Sequence, residues 1–377
     1  MLGRLDGALR YLPPAASRIL AARLLRDTLT GALRQEGHAF SAQRFAAWFA
    51  GLTPLTDPAD RPATPLRPPR PLVSVILTAL VHSSWPPLAT LAARMQPANL
   101  AFDDAGFDDA GFENAHSDAQ ALIVAARTLL DPLQPVPTAL PFAMLAQLHH
   151  AVAESPTFAP RERAQIPITL GDIRVVIERP PAPSPRWALE LLSGEQLRAA
   201  GLLPLALPLI GLIRLDGLST DDQSADGIIR AAALRDLALQ LCRLIDEARE
   251  HADQLATVMA NRRSTSRVPM MFELFAGFGA LRSAQLATLL GATRLGVSKM
   301  LASLDESGVL ERSTLAGVRL YTIRPAPTPE PTPDQGLAPL ALSCAAVAEY
   351  TASMANIDEV LARLGVEIDE ADERDPI

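Results

Sequence analysis

Apolar residues recur every three or four positions through most of the chain, and strand-like runs are confined to two short stretches. That period lets a helix keep one face dry, so a mainly α protein is expected. Residues 1–52 read as two helices about a break at Gly37. Leu20, Leu24, Leu25 and Thr28 share one face, and Phe40, Phe45, Trp48 and Phe49 crowd another. Four further segments, LVSVILTALVHS from 72, PLATLAARM from 87, DAQALIVAARTLL from 118 and FAMLAQLHHAVAE from 142, predict a bundle joined by polar or proline turns. Between 166 and 178 the pattern changes: ITL and IRVVI flank Gly171-Asp172, a two-residue turn signal that predicts a short β-hairpin.

The strongest periodicity lies in 227–263, where Leu234, Leu237, Leu241, Leu244, Ala248, Ala252, Leu255 and Met259 form one stripe. Asp226 is placed to cap the start, and Arg262-Arg263 to meet the negative end of the helix dipole. A continuous helix here is roughly 50 Å long. Two roles fit it: a core-crossing helix, or a coiled-coil-like strut through which two copies form a homodimer.

Three proline-rich seams punctuate the chain, with seven prolines in 54–71, four in 179–186 and five in 324–333. Such stretches end helices and behave as extended spacers. The implied layout is a helical segment 1–52, a linker 53–71 and a helical body 72–226. The connecting helix 227–263, a module at 264–324 and a linker 325–336 follow. Over 337–377 come one or two closing helices and the acidic tail EIDEADERDPI, which is expected to be disordered.

Within the module, Ser283 is placed to cap a short helix whose Leu286, Leu289 and Leu290 point inward, and Gly291 supplies a left-handed turn. Thr293 then caps a second helix. On it Val297, Leu301 and Leu304 form the buried stripe, which leaves Arg294, Leu295, Ser298, Lys299 and Ala302 on the opposite face. Ser307-Gly308 ends that helix. VLERSTLAGVRLYTI follows as two strands around Leu315-Ala316-Gly317, with Val318, Leu320 and Thr322 alternating against Arg319, Tyr321 and Ile323. Arg312 or Arg319 on this hairpin is positioned for a flanking phosphate.

Charge sharpens the picture. A net charge of −8 argues against nucleic acid until it is mapped, for residues 262–324 carry nine basic side chains against four acidic ones and the rest of the chain is correspondingly acidic. A local basic face is what phosphate neutralisation requires, and an acidic remainder limits non-specific adsorption.

The order of helix, LLG turn, TRxxVSKxLxxL helix, ESGVL stop and basic hairpin resembles the winged helix-turn-helix regulators of bacteria, with matches at Gly291, Thr293, Val297, Leu301, Leu304, Gly308 and Leu310. The resemblance covers about 55 residues. It implies a mainly α fold, with a helical body plus a C-terminal winged helix-turn-helix bearing a small β-hairpin wing. It also implies a transcriptional regulator of double-stranded DNA, contacted by Arg282, Thr293, Arg294, Ser298, Lys299, Arg312 and Arg319, with the helix 293–304 in the major groove. Leu295 and Gly296 depart from the Arg, Asn or Gln expected where bases are read. Winged helices of chromosome or plasmid maintenance, which bind a partner protein instead, look alike in sequence. The whole layout, opening with RLDGALRYLPPAASRILAARLLRDTLTGALRQEG at 4–37, resembles a bacterial helix-turn-helix family of unknown function. It also resembles the body-then-winged-helix arrangement of Fic-type AMP-transferases, but no HPFxxGNGR motif occurs and that activity is not implied.

Other candidate chemistry is sparse. The tract 101–118 repeats Phe102, Phe107 and Phe112 among carboxylates, but its spacing fits no EF-hand, so an acidic loop anchored by phenylalanines is expected. His149 and His150 lie about 100° apart on a helix and cannot form an i, i+4 metal pair. Cys242 and Cys344 sit in apolar runs without a CxxC partner and read as buried thiols suited to a reducing cytoplasm. No nucleophile elbow, phosphate loop or GxGxxG turn is present, so no catalytic residues, metal, cofactor or enzymatic activity are expected. The N-terminus lacks a secretory pattern, and the uncharged stretch 201–213 is too short for a bilayer, so no membrane partner is expected.

Overall fold

The computed structural model describes residues 1–56, 67–102, 109–133, 141–159, 165–170, 173–178, 183–214, 218, 223–260 and 267–324. The closing helices, Cys344, the acidic tail, Arg262-Arg263 and the turn Gly171-Asp172 lie outside the described residues, as do parts of all three proline seams.

The chain is mainly helical. Helices α1 (Leu2–Arg10), α2 (Pro14–Gln35) and α3 (Ala42–Phe49) come first. The expected first helix is split because Pro14 lacks an N–H to continue α1 and instead starts α2 at a position where that donor is not needed. Gly37, at φ 89°, ends α2 where expected. Leu20, Leu24, Leu25, Thr28, Phe45, Trp48 and Phe49 are all buried, so both predicted faces point inward. Helices α4 (Pro69–Val81), α5 (Pro86–Ala98), α6 (Asp109–Leu130) and α7 (Pro141–Glu154) follow, as the apolar period predicts, with α4 packed on both α5 and α6.

Part of the acidic tract departs from expectation. Residues 109–118 are the opening turns of α6 rather than loop, while 103–108 lie outside the described residues. Phe112 stacks on His116 one turn later, and the Arg70 guanidinium lies 5.4 Å over its ring. His149 is buried and its Nδ1 bonds the Leu145 carbonyl at 2.8 Å, whereas His150 faces out beside Glu154.

Strands β1 (Gln165–Leu170) and β2 (Ile173–Glu178) pair antiparallel with Leu170 opposite Ile173, the hairpin the two-residue signal predicts. Helix α8 (Trp187–Ala199) follows; its stripe was not legible because it is buried nearly all round, with Trp187, Leu189 and Glu190 inside. Glu190 holds the apolar stretch after it, accepting from the Ile213 N–H at 2.7 Å and the Gln35 amide at 2.6 Å.

Helix α9 (Gln223–Met259) starts before Asp226, which therefore lies inside the helix and not at its cap. Its stripe packs on α1, α2, α7 and helix α10 (Val268–Phe278). Leu234, Leu237, Leu241, Leu244, Ala248 and Leu255 are buried within one chain. The stripe is thus occupied as core, and a second copy would have to use another face.

The core runs without a break from the helical body into α10. A Cβ added at Gly277 would run into the Ala22 side chain and the Ile19 carbonyl, so α10 and α2 approach as closely as backbones allow. Phe278 sits 5.0 Å from the Phe49 ring. Arg18 of α2 grips the buried Glu273 with two hydrogen bonds of 2.8 and 2.6 Å, which raise the guanidinium above its already high ordinary pKa. Among the described residues, no helix is long and apolar enough to cross a membrane.

Candidate nucleic-acid interface

After α10 the chain forms strand β3 (Leu281–Arg282), helix α11 (Ser283–Leu290), helix α12 (Arg294–Glu306) and strands β4 (Leu310–Leu315) and β5 (Val318–Ile323). The three strands make one antiparallel sheet in the order β3-β5-β4. Two helices and a hairpin were expected here; α10 and β3 were not.

The local chemistry explains each turn. Gly291 ends α11 in the left-handed region at φ 54°, and the Arg267 guanidinium donates to the exposed carbonyls of Leu290 and Gly291. Thr293 Oγ1 accepts from the Gly296 N–H at 3.2 Å and so caps α12 as expected. Ser283 does not cap α11. Arg282 holds that position in extended backbone, and the first turn is closed by Gln285, whose Oε1 accepts from the Arg282 N–H at 3.2 Å. The hairpin turns through Ala316 and Gly317, both with positive φ as a type I′ turn requires.

Gln285 also ties α11 to the body. Fully buried, it donates to the carbonyls of Phe49 at 3.0 Å and Ala98 at 3.3 Å. With its bond to Arg282, one side chain uses three of its four hydrogen-bonding positions. The sequence pattern points to Ser283 as cap instead, because a capping box is signalled by Ser or Thr three residues before Gln or Glu and Arg282 stands there.

Helix α12 packs on α10, α11 and β4 through Val297, Leu301 and Leu304, all buried. The opposite face is open: Arg294, Leu295, Ser298, Lys299 and Ala302 are exposed, and Leu295 reaches 67%. Among the described residues neither Arg294 nor Lys299 pairs with a carboxylate. Arg294 lies in the first turn of α12, where the helix dipole is also positive, and Lys299 in the second.

The other sequence candidates are distributed differently. Register places Arg312 opposite Tyr321 and Thr314 opposite Arg319, so both arginines share one face of the hairpin. Arg312 spends its charge on Asp305 at the end of α12, with Nη2 2.6 Å from the carboxylate. Arg319, nearer the turn, is exposed. Arg282 lies across β5 opposite Leu320, half-buried, with its Nε unpartnered. The structure thus groups Thr293, Arg294, Ser298 and Lys299 on one helix, sets Arg319 on the hairpin, and keeps Arg282 and Arg312 in more structural positions.

The alternation expected for β5 holds only in part. Leu320 is buried, but Ile323 on the other face is buried too, because Leu310 pairs with it at the base of the hairpin.

Set against known proteins, the chain matches no family model and no curated protein.

Proposed function

We propose that this protein is a DNA-binding transcriptional regulator in which residues 268–323 work as a winged helix. In this reading α12 enters the major groove and the β4–β5 hairpin is the wing beside the phosphate backbone. The observation that carries it is the outward face of α12, which presents Arg294, Ser298 and Lys299 from a helix whose other side is filled by α10, α11 and β4. Arg294 and Lys299 supply charge-assisted donors for phosphates or guanine edges, Ser298 a neutral donor and acceptor, and Arg319 a flanking phosphate contact. Arg312, already matched by Asp305, contributes less; an exposed ion pair is worth so little that a phosphate can still compete for it. The protein needs no cofactor in this role and works in the cytoplasm.

The scarcity of polar readers makes phosphate contact the larger part of affinity. Exchanging Arg294 and Lys299 together for Ala is expected to weaken retention of mixed duplex DNA strongly in a gel shift at moderate salt. Retention equal to that of the unaltered protein would refute α12 as the contact helix.

One observation favours a second reading. Leu295, exposed at the leading end of α12 and followed by Gly296, suits an apolar protein surface at least as well as a base edge. A protein-binding winged helix of chromosome or plasmid maintenance would show no DNA retention even at low salt. Replacing Leu295 by Glu would then dissolve a complex with the partner chain.

A further inference from the structure

A cleft of about 490 Å3 opens where α2, α5, α10 and α11 meet. Leu12, Ala22, Leu91, Met270, Leu274 and Leu289 give it apolar walls. Its volume is in the range of pockets that enclose small organic ligands, which are typically apolar with a few placed polar groups.

The polar groups at this cleft are unequal. Arg18 is spent on Glu273, gripped through both of its carboxylate oxygens. Arg94 of α5 is exposed at the rim, and its Nη1 lies 2.9 Å from the sulfur of Met270. A thioether is a weak acceptor, and among the described residues no carboxylate pairs with Arg94. The cleft therefore combines apolar walls with a planar cation at its rim whose bidentate fork lacks an anion. A ligand that answers both has an apolar body and a carboxylate end: the body fills the cleft in place of water while the carboxylate takes the guanidinium fork.

We propose that this cleft is a binding site for a small apolar monocarboxylate, with Arg94 as its anion anchor. The assignment does not rest on the DNA reading, because it concerns a different surface and a different charge. Such a ligand touches the helical body through Leu12 and Leu91 and the module through Met270, Leu274 and Leu289.

The test is calorimetric titration of the full chain with octanoate and, in parallel, its neutral amide. Octanoate is expected to bind saturably to one site and about tenfold or more tighter than the amide, the difference a charge-assisted hydrogen bond supplies. Arg94→Gln is expected to erase that preference. Thr90→Trp, a change at an exposed rim position, is expected to block both ligands. Thermal unfolding of each variant checks that the fold is intact. Absence of saturable octanoate binding overturns the proposal, as does uptake of many equivalents, which marks surfactant adsorption. Binding unchanged by Thr90→Trp overturns the location, and a carboxylate preference that survives Arg94→Gln overturns the anchor.

Discussion

Two helical glycines, Gly277 and Gly296, respond oppositely to the same substitution. Ala normally favours a helix over Gly by about 1 kcal/mol. At Gly296 an added Cβ finds only Thr293 Oγ1 at 3.4 Å and Ala292 Cβ at 3.8 Å, so Gly296→Ala should stabilise the protein by roughly 0.5–1 kcal/mol. At Gly277 the Cβ meets the α2 backbone, so Gly277→Ala should destabilise by about 3 kcal/mol or more as the two helices are forced apart. Denaturant unfolding of both variants reads the signs, and a stabilised Gly277→Ala protein would mean α10 is not packed on α2. Glu190 gives a prediction in pH. Burial pushes its carboxyl above the ordinary glutamate range, against the opposing pull of its hydrogen bonds from Gly211, Ile213 and Gln35 and of the nearby Arg186. A raised folded-state pKa means the native state holds the proton more tightly than the unfolded chain. The resulting stability is full below the ordinary glutamate pKa and is lost as pH rises through the raised value. Wild type should therefore lose unfolding free energy relative to Glu190→Gln between acid and neutral pH; parallel profiles would show that Glu190 titrates normally. The sequence offered no hint of Gly277 or Glu190, because the close approach of α10 to Ile19 and Ala22 and the burial of the Glu190 carboxylate beside Gln35 are made by tertiary packing and not by local pattern.

Elements were more legible than their attachments. The 3.6-residue period located α4 to α7 and α9, and the two-residue turn signal located the β1–β2 hairpin, because local spacing alone decides which face is dry. Around α12 the reading was close residue by residue: Gly291 as left-handed turn, Thr293 as cap, and Val297, Leu301 and Leu304 as buried stripe. What stayed hidden was α10, whose run Val268–Phe278 is buried nearly all round and so has no polar face to mark its period, and β3, which is only two residues long. The same limit hid Gln285, an amide on a helix surface by pattern and a buried tie to Phe49 and Ala98 in fact. Replacing it by Leu leaves those carbonyls and the Arg282 N–H without their partner, at a cost on the order of 2–4 kcal/mol. Thermal unfolding should show a clearly lowered midpoint for Gln285→Leu, and an unchanged one would mean α11 is held by apolar contact alone.

At the scale of the whole molecule, charge and packing divide the labour. The chain carries −8 overall, yet the outward face of α12 is cationic, so the acidic remainder restricts where a polyanion can settle. The core that joins α2, α9 and α10 holds α12 by its inner side and leaves its outer side exposed. The stripe of α9 is spent on that core, so it is not free to act as a dimer strut. A DNA contact of this kind is mainly electrostatic, and its affinity must fall as salt rises because neutralised phosphates release counterions. Fluorescence anisotropy of a labelled duplex, titrated with the full chain across a range of salt concentrations, measures that dependence directly. The log affinity of the unaltered protein is predicted to fall linearly with log salt, and the slope should become shallower by roughly two when Arg294 and Lys299 are both Ala. Binding that does not respond to salt, a slope the two substitutions leave unchanged, or no binding at low salt would contradict DNA recognition by α12.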